Sequence, residues 1–229
     1  MVKYESVLKD LSVSIATMRP GDQLPTERQL AAQYGVSNMT VRRALDVLSS
    51  SKRIVGIRGR GTFVAQPTVT KQMTLASFTS SMLEAGMTAR AQVLAMELKP
   101  ADDKAREMLG LDEGAQIITI DRLRFGDDTP LCIDRSMLPA ERFPGLLGND
   151  LSGSLYEVLY RRYNVELSRA ESRVSAVLPS HEDAQLLRIP LTTPCLRVIS
   201  QGSTIDEAVV ENTVSLYRGD LYELLIGRN

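Results

Sequence analysis

Two stretches of this 229-residue chain carry cations at spacings that suit anion chemistry. One is RLRF, where Arg122 and Arg124 stand two residues apart in a strand-like run. On a strand such residues project from one face, and two guanidiniums side by side repel unless an anion joins them. That anion is either an external ligand or a carboxylate of the chain, with Asp121, Asp134 and Glu211 as candidates. Ser154 stands at the start of a helical pattern, where its hydroxyl and the open amides of a helix N-terminus add an anion-binding nest.

The other stretch lies near the N-terminus. Ser37, Asn38, Met39 and Thr40 are followed by Arg42 and Arg43, and Arg58-Gly59-Arg60-Gly61 comes after them. Duplex DNA needs cations to replace its condensed counterions and a narrow element that enters the major groove. Arg28 can clamp a phosphate, assisted by the positive end of the helix it begins. Arg58, Gly59 and Arg60 can reach phosphate or the minor groove, where glycine permits close backbone approach. Any one of these arginines describes a solvated surface equally well; their joint occurrence points to DNA.

Catalysis finds no recognisable set of residues. The only histidine, His181 in PSHEDAQLL, has no cysteine or paired carboxylates near it in sequence, and it reads as a surface residue at a helix cap. The chain is expected to be no enzyme and to use no metal or cofactor. The rival readings are an enzyme that acquired a DNA-binding segment and an architectural DNA-binding protein that ignores metabolites.

The elements that must position these residues follow from periodicity. Tyr4, Val7, Leu8, Leu11 and Ile15 recur at helical spacing until Pro20-Gly21. In LPTERQLAAQYG, Thr26 and Gln29 form a capping box and Gly35 suits the left-handed end, predicting a helix over 27–34. Ser37 caps a third helix with Val41, Leu45 and Leu48 as its apolar face. Short strands at 54–57 and 62–64 then flank the glycine-rich tip, which makes a winged helix-turn-helix over 1–66. Residues 67–73 carry neither periodicity and include Pro67, so they read as a linker.

From 74 to 229 the texture changes. Strand patterns at about 92–98, 116–125, 130–138, 165–178, 195–205 and 208–217 alternate with helices near 75–85, 102–109, 154–162 and 181–187. Short turns such as Gly126-Asp127-Asp128 make the sheet mainly antiparallel, and the fold class α+β.

Net charge supports the division. Residues 1–66 hold ten Lys or Arg against five Asp or Glu, leaving 17 basic and 23 acidic residues for the remainder. Such opposite halves suggest that one part meets a polyanion. Cys132 and Cys195 sit in apolar strand-like runs far apart, as reduced, buried and inert thiols do. No apolar run approaches membrane-spanning length and MVKYESVLKDLS lacks a secretory core, so a cytoplasmic protein without membrane association is expected.

At this point PGDQLPTERQLAAQYGVSNMTVRRALDVL with GRGTFV resembles the winged-helix domain of GntR-family regulators. In the second half FTSSMLEAG, RLRF, PLCIDRSMLPAERFPGL, SLYEVL and ENTVSLYRGD resemble the UTRA effector domain of the HutC subfamily. The resemblance implies a repressor of transcription and a sensor fold similar to chorismate lyase. It further implies a phosphate site at Phe78, Thr79 and Ser80, at Arg122 and Arg124, and at Ser154 and Tyr156. Asp134, Glu211 and Tyr217 are implied to hold ligand hydroxyls or an amide. The implied partners are double-stranded operator DNA, a small anionic metabolite such as a sugar or amino-sugar phosphate, and a second copy in a homodimer. The family usually places Arg where Asn38 stands, Ser or Thr at Met39, and Glu at Asp134, so the operator and the effector are expected to differ from the commonest ones.

Overall fold

Helical periodicity in the first 50 residues builds α1 (Lys3–Thr17), α2 (Glu27–Tyr34) and α3 (Asn38–Ser50) in the computed structural model. The structure describes residues 3–51, 53–65, 69–72 and 78–225, and divides into two units, residues 1–68 and 69–229.

In the first unit the capping box forms as its sequence demands. The Thr26 hydroxyl accepts the Gln29 N–H at 3.3 Å, and Gln29 Oε1 accepts the Thr26 N–H at 2.8 Å. Gly35 closes α2 at φ +62°, in the left-handed region that costs glycine nothing. Val7, Leu11, Ile15, Leu30, Val41, Ala44, Leu45 and Leu48 share one buried core with Ile54 and Val64 of the strands β1 (Ile54–Ile57) and β2 (Gly61–Val64). Because the cap sets where α2 begins, Thr26→Ala is expected to cost about 1 kcal/mol. Chemical denaturation of the full chain checks this, and an unchanged midpoint would show the cap to be dispensable.

The second unit runs β3 (Val69–Gln72), α4 (Phe78–Glu84), β4 (Ala89–Pro100), α5 (Asp103–Leu109), β5 (Gln116–Gly126), β6 (Thr129–Pro139), α6 (Leu155–Tyr163), β7 (Arg169–Val177), α7 (His181–Leu187), β8 (Cys195–Ser203), β9 (Val209–Arg218) and β10 (Tyr222–Leu225). Six strands form one antiparallel sheet in the order β4-β5-β6-β9-β8-β7. The α+β expectation holds, including the β5–β6 hairpin, where Asp127 turns the chain at φ +52°.

Two short strands escape the sequence reading. Residues 69–72, expected within a linker, form β3 and pair in parallel with β10 in the register Val69↔Tyr222. Unlike β1 and β2, which flank a glycine-rich tip, β3 pairs with a strand at the far end of the chain, so nothing local marks it. The remaining linker positions 67, 68 and 73, and the expected helix start near 75, lie outside the described residues.

Alternation divides the sheet's two faces. On one, Leu123, Ile133 and Leu216 pack with Ala184 and Leu187 of α7. On the other, Ile118, Ile120 and Leu138 pack with Leu155 and Leu159 of α6, while Cys132, Val198 and Tyr217 pack with Phe78 and Met82 of α4. Between these last two apolar patches the same face turns polar.

Candidate functional site

The DNA-facing candidates lie on α3 and the wing. Ser37 caps α3, its Oγ accepting the Thr40 N–H at 3.2 Å and sharing a 2.9 Å hydrogen bond with the Thr40 hydroxyl. Asn38 and Met39 are exposed beyond them, Met39 at 69%, where an unpartnered thioether faces solvent. Arg28, Arg58, Gly59 and Arg60 are exposed as well. Among the described residues no ion pair engages Arg28, Arg58 or Arg60.

Arg42 and Arg43, expected from sequence to face DNA, are exposed and also touch neighbouring helices. Arg42 forms a two-pronged pair with Glu27 at 3.2 and 2.9 Å, tying α3 to α2, and the Arg43 guanidinium lies 4.3 Å over the Tyr4 ring of α1. Both reach neighbouring helices because a short three-helix unit brings every helix within a side chain's length of another.

Sequence reasoning also passes over Gln23, which holds the wing. Its side chain donates to the Arg60 carbonyl at 2.9 Å, and the Leu24 N–H bonds the Thr62 carbonyl at 2.8 Å. Gly61, at φ +118°, leaves room for that amide: a Cβ there would come within 2.6 Å of Gln23 Nε2. Arg58, at the tip so held, is expected to touch phosphate. Arg58→Ala should weaken DNA binding alike across sequences and flatten the log–log salt slope by about 0.9. An unchanged slope in salt titrations would remove Arg58 from the interface.

In the second unit the register brings a polar row together. Arg122 lies opposite Asp134, Asp134 opposite Ser215, and Ser215 opposite Val198; the next row holds Ile120, Ser136, Thr213 and Ser200. Arg122 and Arg124 are only 3% and 5% exposed, so neither is a solvated surface cation. Both approach one carboxylate: Arg124 Nη1 donates to Asp134 Oδ2 at 3.1 Å, and Arg122 Nη2 lies 3.9 Å from the same oxygen. Ser215 Oγ and Cys132 Sγ donate to Asp134 Oδ1 at 2.6 and 3.2 Å. Asp121 lies on the opposite face, 3.9 Å from Arg135.

Burial alone would raise the Asp134 pKa, but Arg124, Arg122 and the two hydrogen bonds outweigh it and hold the carboxyl below its usual range. Burial, then the charge of Arg124, pulls the Arg122 guanidinium down. Apart from Asp134, Arg122 has one long hydrogen bond, 3.4 Å to the Gly153 carbonyl, and the Nε atoms of both arginines lack a partner among the described residues. Buried donors without partners are costly unless something else satisfies them.

A cavity opens over this row. Phe78, Arg122, Arg124, Asp134, Ser154, Tyr156, Glu211 and Tyr217, all expected from sequence, line it. The Phe78 ring covers the Arg124 guanidinium at 4.4 Å. Ser154 caps α6, its Oγ accepting the Glu157 N–H at 3.4 Å. Glu211 forms the other pole, accepting from Ser136 at 3.1 Å, from Thr213 at 2.6 Å and from the Tyr156 hydroxyl.

Thr79 and Ser80 do not line the cavity. From Phe78, which points inward, the helix turns them through about 100° and 200°, so the face returns only at buried Ser81. Missed from sequence were Ser136, Thr213 and Ser215, each two residues from an expected one; extending the alternation by one step finds them.

Comparison with known proteins follows the same division. Residues 3–64 match the family of bacterial regulatory proteins, gntR family, and residues 84–223 match the UTRA domain. The HTH-type transcriptional repressor NagR of Bacillus subtilis is 30% identical over 222 residues, covering 96% of this chain and 91% of that one. The mannosyl-D-glycerate transport/metabolism system repressor MngR of Escherichia coli is 29% identical, over 91% of this chain and 88% of its own. The crystal structure of PhnF from Mycobacterium smegmatis superposes with a TM-score of 0.82 at 30% identity, over 97% of this chain and 99% of the other.

Proposed function

The chain belongs to the GntR family of bacterial regulatory proteins, its second half a UTRA domain, and from that premise we propose a repressor released from its operator by a small anionic effector. Regulators of this family bind operator DNA and respond to metabolites; they are not enzymes. The observation that carries the finer reading is the Arg122–Arg124 pair, buried beside one shared carboxylate with both Nε donors unpartnered. An effector carrying phosphate answers the charge of the two guanidiniums lining the cavity, assisted by Ser154 and the open amides of α6. Glu211, with Ser136, Thr213 and Tyr156 around it, offers acceptors to hydroxyl or amino groups at the ligand's other end. A sugar or amino-sugar phosphate has both ends.

A homodimer presents two copies of α3 to half-sites about one helical turn apart. Effector binding shifts the protein from a form that spans both half-sites to one that does not. A shift from mostly bound to mostly released takes about 3–5 kcal/mol of differential affinity. β3, hydrogen-bonded to β10, anchors the chain where it enters the sensor unit, and Tyr222 of β10 stacks on the cavity residue Tyr217 at 4.2 Å. The test is thermal denaturation of the full chain with glucose 6-phosphate, glucosamine 6-phosphate and the parent sugars. Stabilisation by a phosphorylated member alone supports the reading, and none by any anion refutes it.

A further inference from the structure

The last strand of the main sheet, β7, has no buried residue: all nine are exposed or half-buried. An edge strand presents a row of open N–H and C=O groups, which native proteins blunt with proline, lysine, a bulge or a covering element. β7 reads RAESRVSAV, without proline or lysine, and its register with β8 runs unbroken from Arg169↔Ser203 to Val177↔Cys195. The opposite edge, β4, is blunted. Its register with β5 shifts between Val93 and Ala95, and the Ala91 N–H already bonds the Ser152 carbonyl at 2.8 Å.

The charges on β7 complement a copy of themselves. Glu171 and Arg173 flank Ser172, project from one face, and enter no ion pair among the described residues. When a second β7 runs antiparallel alongside, with the two-fold axis at Ser172, Glu171 of each copy stands opposite Arg173 of the other. Arg169 then faces Ser175, and Ala170 faces the exposed Val174. Moving the axis to Glu171 or to Arg173 instead sets that residue opposite its own like charge. The pattern therefore selects one partner and one register.

We propose that β7 is the seam of the homodimer: two copies pair their β7 strands antiparallel about Ser172, joining two six-stranded sheets into one. This names the surface of the homodimer read above and rests on that reading.

The experiment measures the dimer Kd of the full chain by sedimentation over a dilution series. Glu171→Arg and Arg173→Glu each set two like-charge pairs across the seam, and each is expected to raise Kd by at least about tenfold. Mixed together, the two variants are expected to form the heterodimer in preference to either homodimer, because every pair across the seam is again opposite in sign. The double variant Glu171→Arg/Arg173→Glu is expected to return Kd to near wild type.

A second measurement reads the register and serves where Kd is too low to resolve. Residues directly opposite in antiparallel strands lie about 4.5–5.5 Å apart at Cα, within disulfide reach. Ser172→Cys is therefore expected to give a covalent dimer with oxidised glutathione. Val174→Cys sets its two thiols roughly 13 Å apart along the strands and is expected to give none. Cys132 and Cys195 are buried, so the wild-type chain is the blank.

Wild-type Kd in both single charge variants, or no covalent dimer from Ser172→Cys, overturns the proposal and leaves a homodimer joined through another surface. A wild-type chain that stays monomeric at micromolar concentration, with and without operator DNA, overturns the homodimer reading with it.

Discussion

Replacing Arg122 with methionine is expected to leave the unliganded protein on its operator at wild-type affinity and to abolish release by the effector. Arg122 contributes little to the folded chain, having only a 3.4 Å hydrogen bond to Gly153 and a 3.9 Å approach to Asp134. Asp134 keeps Arg124, Ser215 and Cys132 when Arg122 goes, and methionine fills most of the buried stem's volume. The effector loses its least committed donor. Hydrogen bonds to a charged group contribute about 1.5–3 kcal/mol each, so losing two lowers effector affinity by roughly 10² or more. Fluorescence anisotropy on labelled operator reads both quantities, and wild-type release by this variant would remove Arg122 from the effector site.

Arg124→Ala behaves differently, because Arg124 is the principal partner of a buried carboxylate. Removing it leaves Asp134 with two neutral donors and a guanidinium 3.9 Å away, and uncovers the Phe78 ring. Breaking a buried pair from one side costs about 3–5 kcal/mol, whereas replacing both partners by apolar groups of similar volume is often neutral. At about 2–4 °C per kcal/mol for a chain of this size, Arg124→Ala lowers the melting temperature by about 6–20 °C. Arg124→Met/Asp134→Leu recovers most of the loss. Calorimetry distinguishes this from a surface pair, whose loss barely moves the transition. A single-variant shift within 2 °C or so, the range of such exposed pairs, would contradict the buried linkage.

This contrast marks where sequence reasoning reaches. Periodicity, caps and turns locate all three N-terminal helices, the wing and the six strands of the main sheet, because each signal is local and repeated. β3 and β10 are four-residue strands that pair across most of the chain, and nothing local marks them. The cavity is legible for a related reason: Arg122, Arg124, Asp134, Glu211 and Tyr217 lie on adjoining strands whose alternation sends them to one face. What alternation cannot supply is stoichiometry. That Asp134 serves both arginines, that Arg42 is held by Glu27 and that Arg43 lies over Tyr4 depend on side chains meeting across elements. Asn38 and Met39 remain the exposed residues of the first turn of α3, where base edges are expected to be read.

The central claim is that an anion in this cavity controls DNA binding. Its most direct test follows anisotropy of labelled duplex from upstream of the chain's own gene, bound by the full protein, while sugar phosphates and their parent sugars are titrated. The prediction is that at least one phosphorylated sugar raises the apparent Kd by roughly two to four orders of magnitude, the 3–5 kcal/mol of a population shift, while its parent sugar does nothing. Equal release by a parent sugar and its phosphate, or DNA affinity indifferent to every anion tried, would contradict the account.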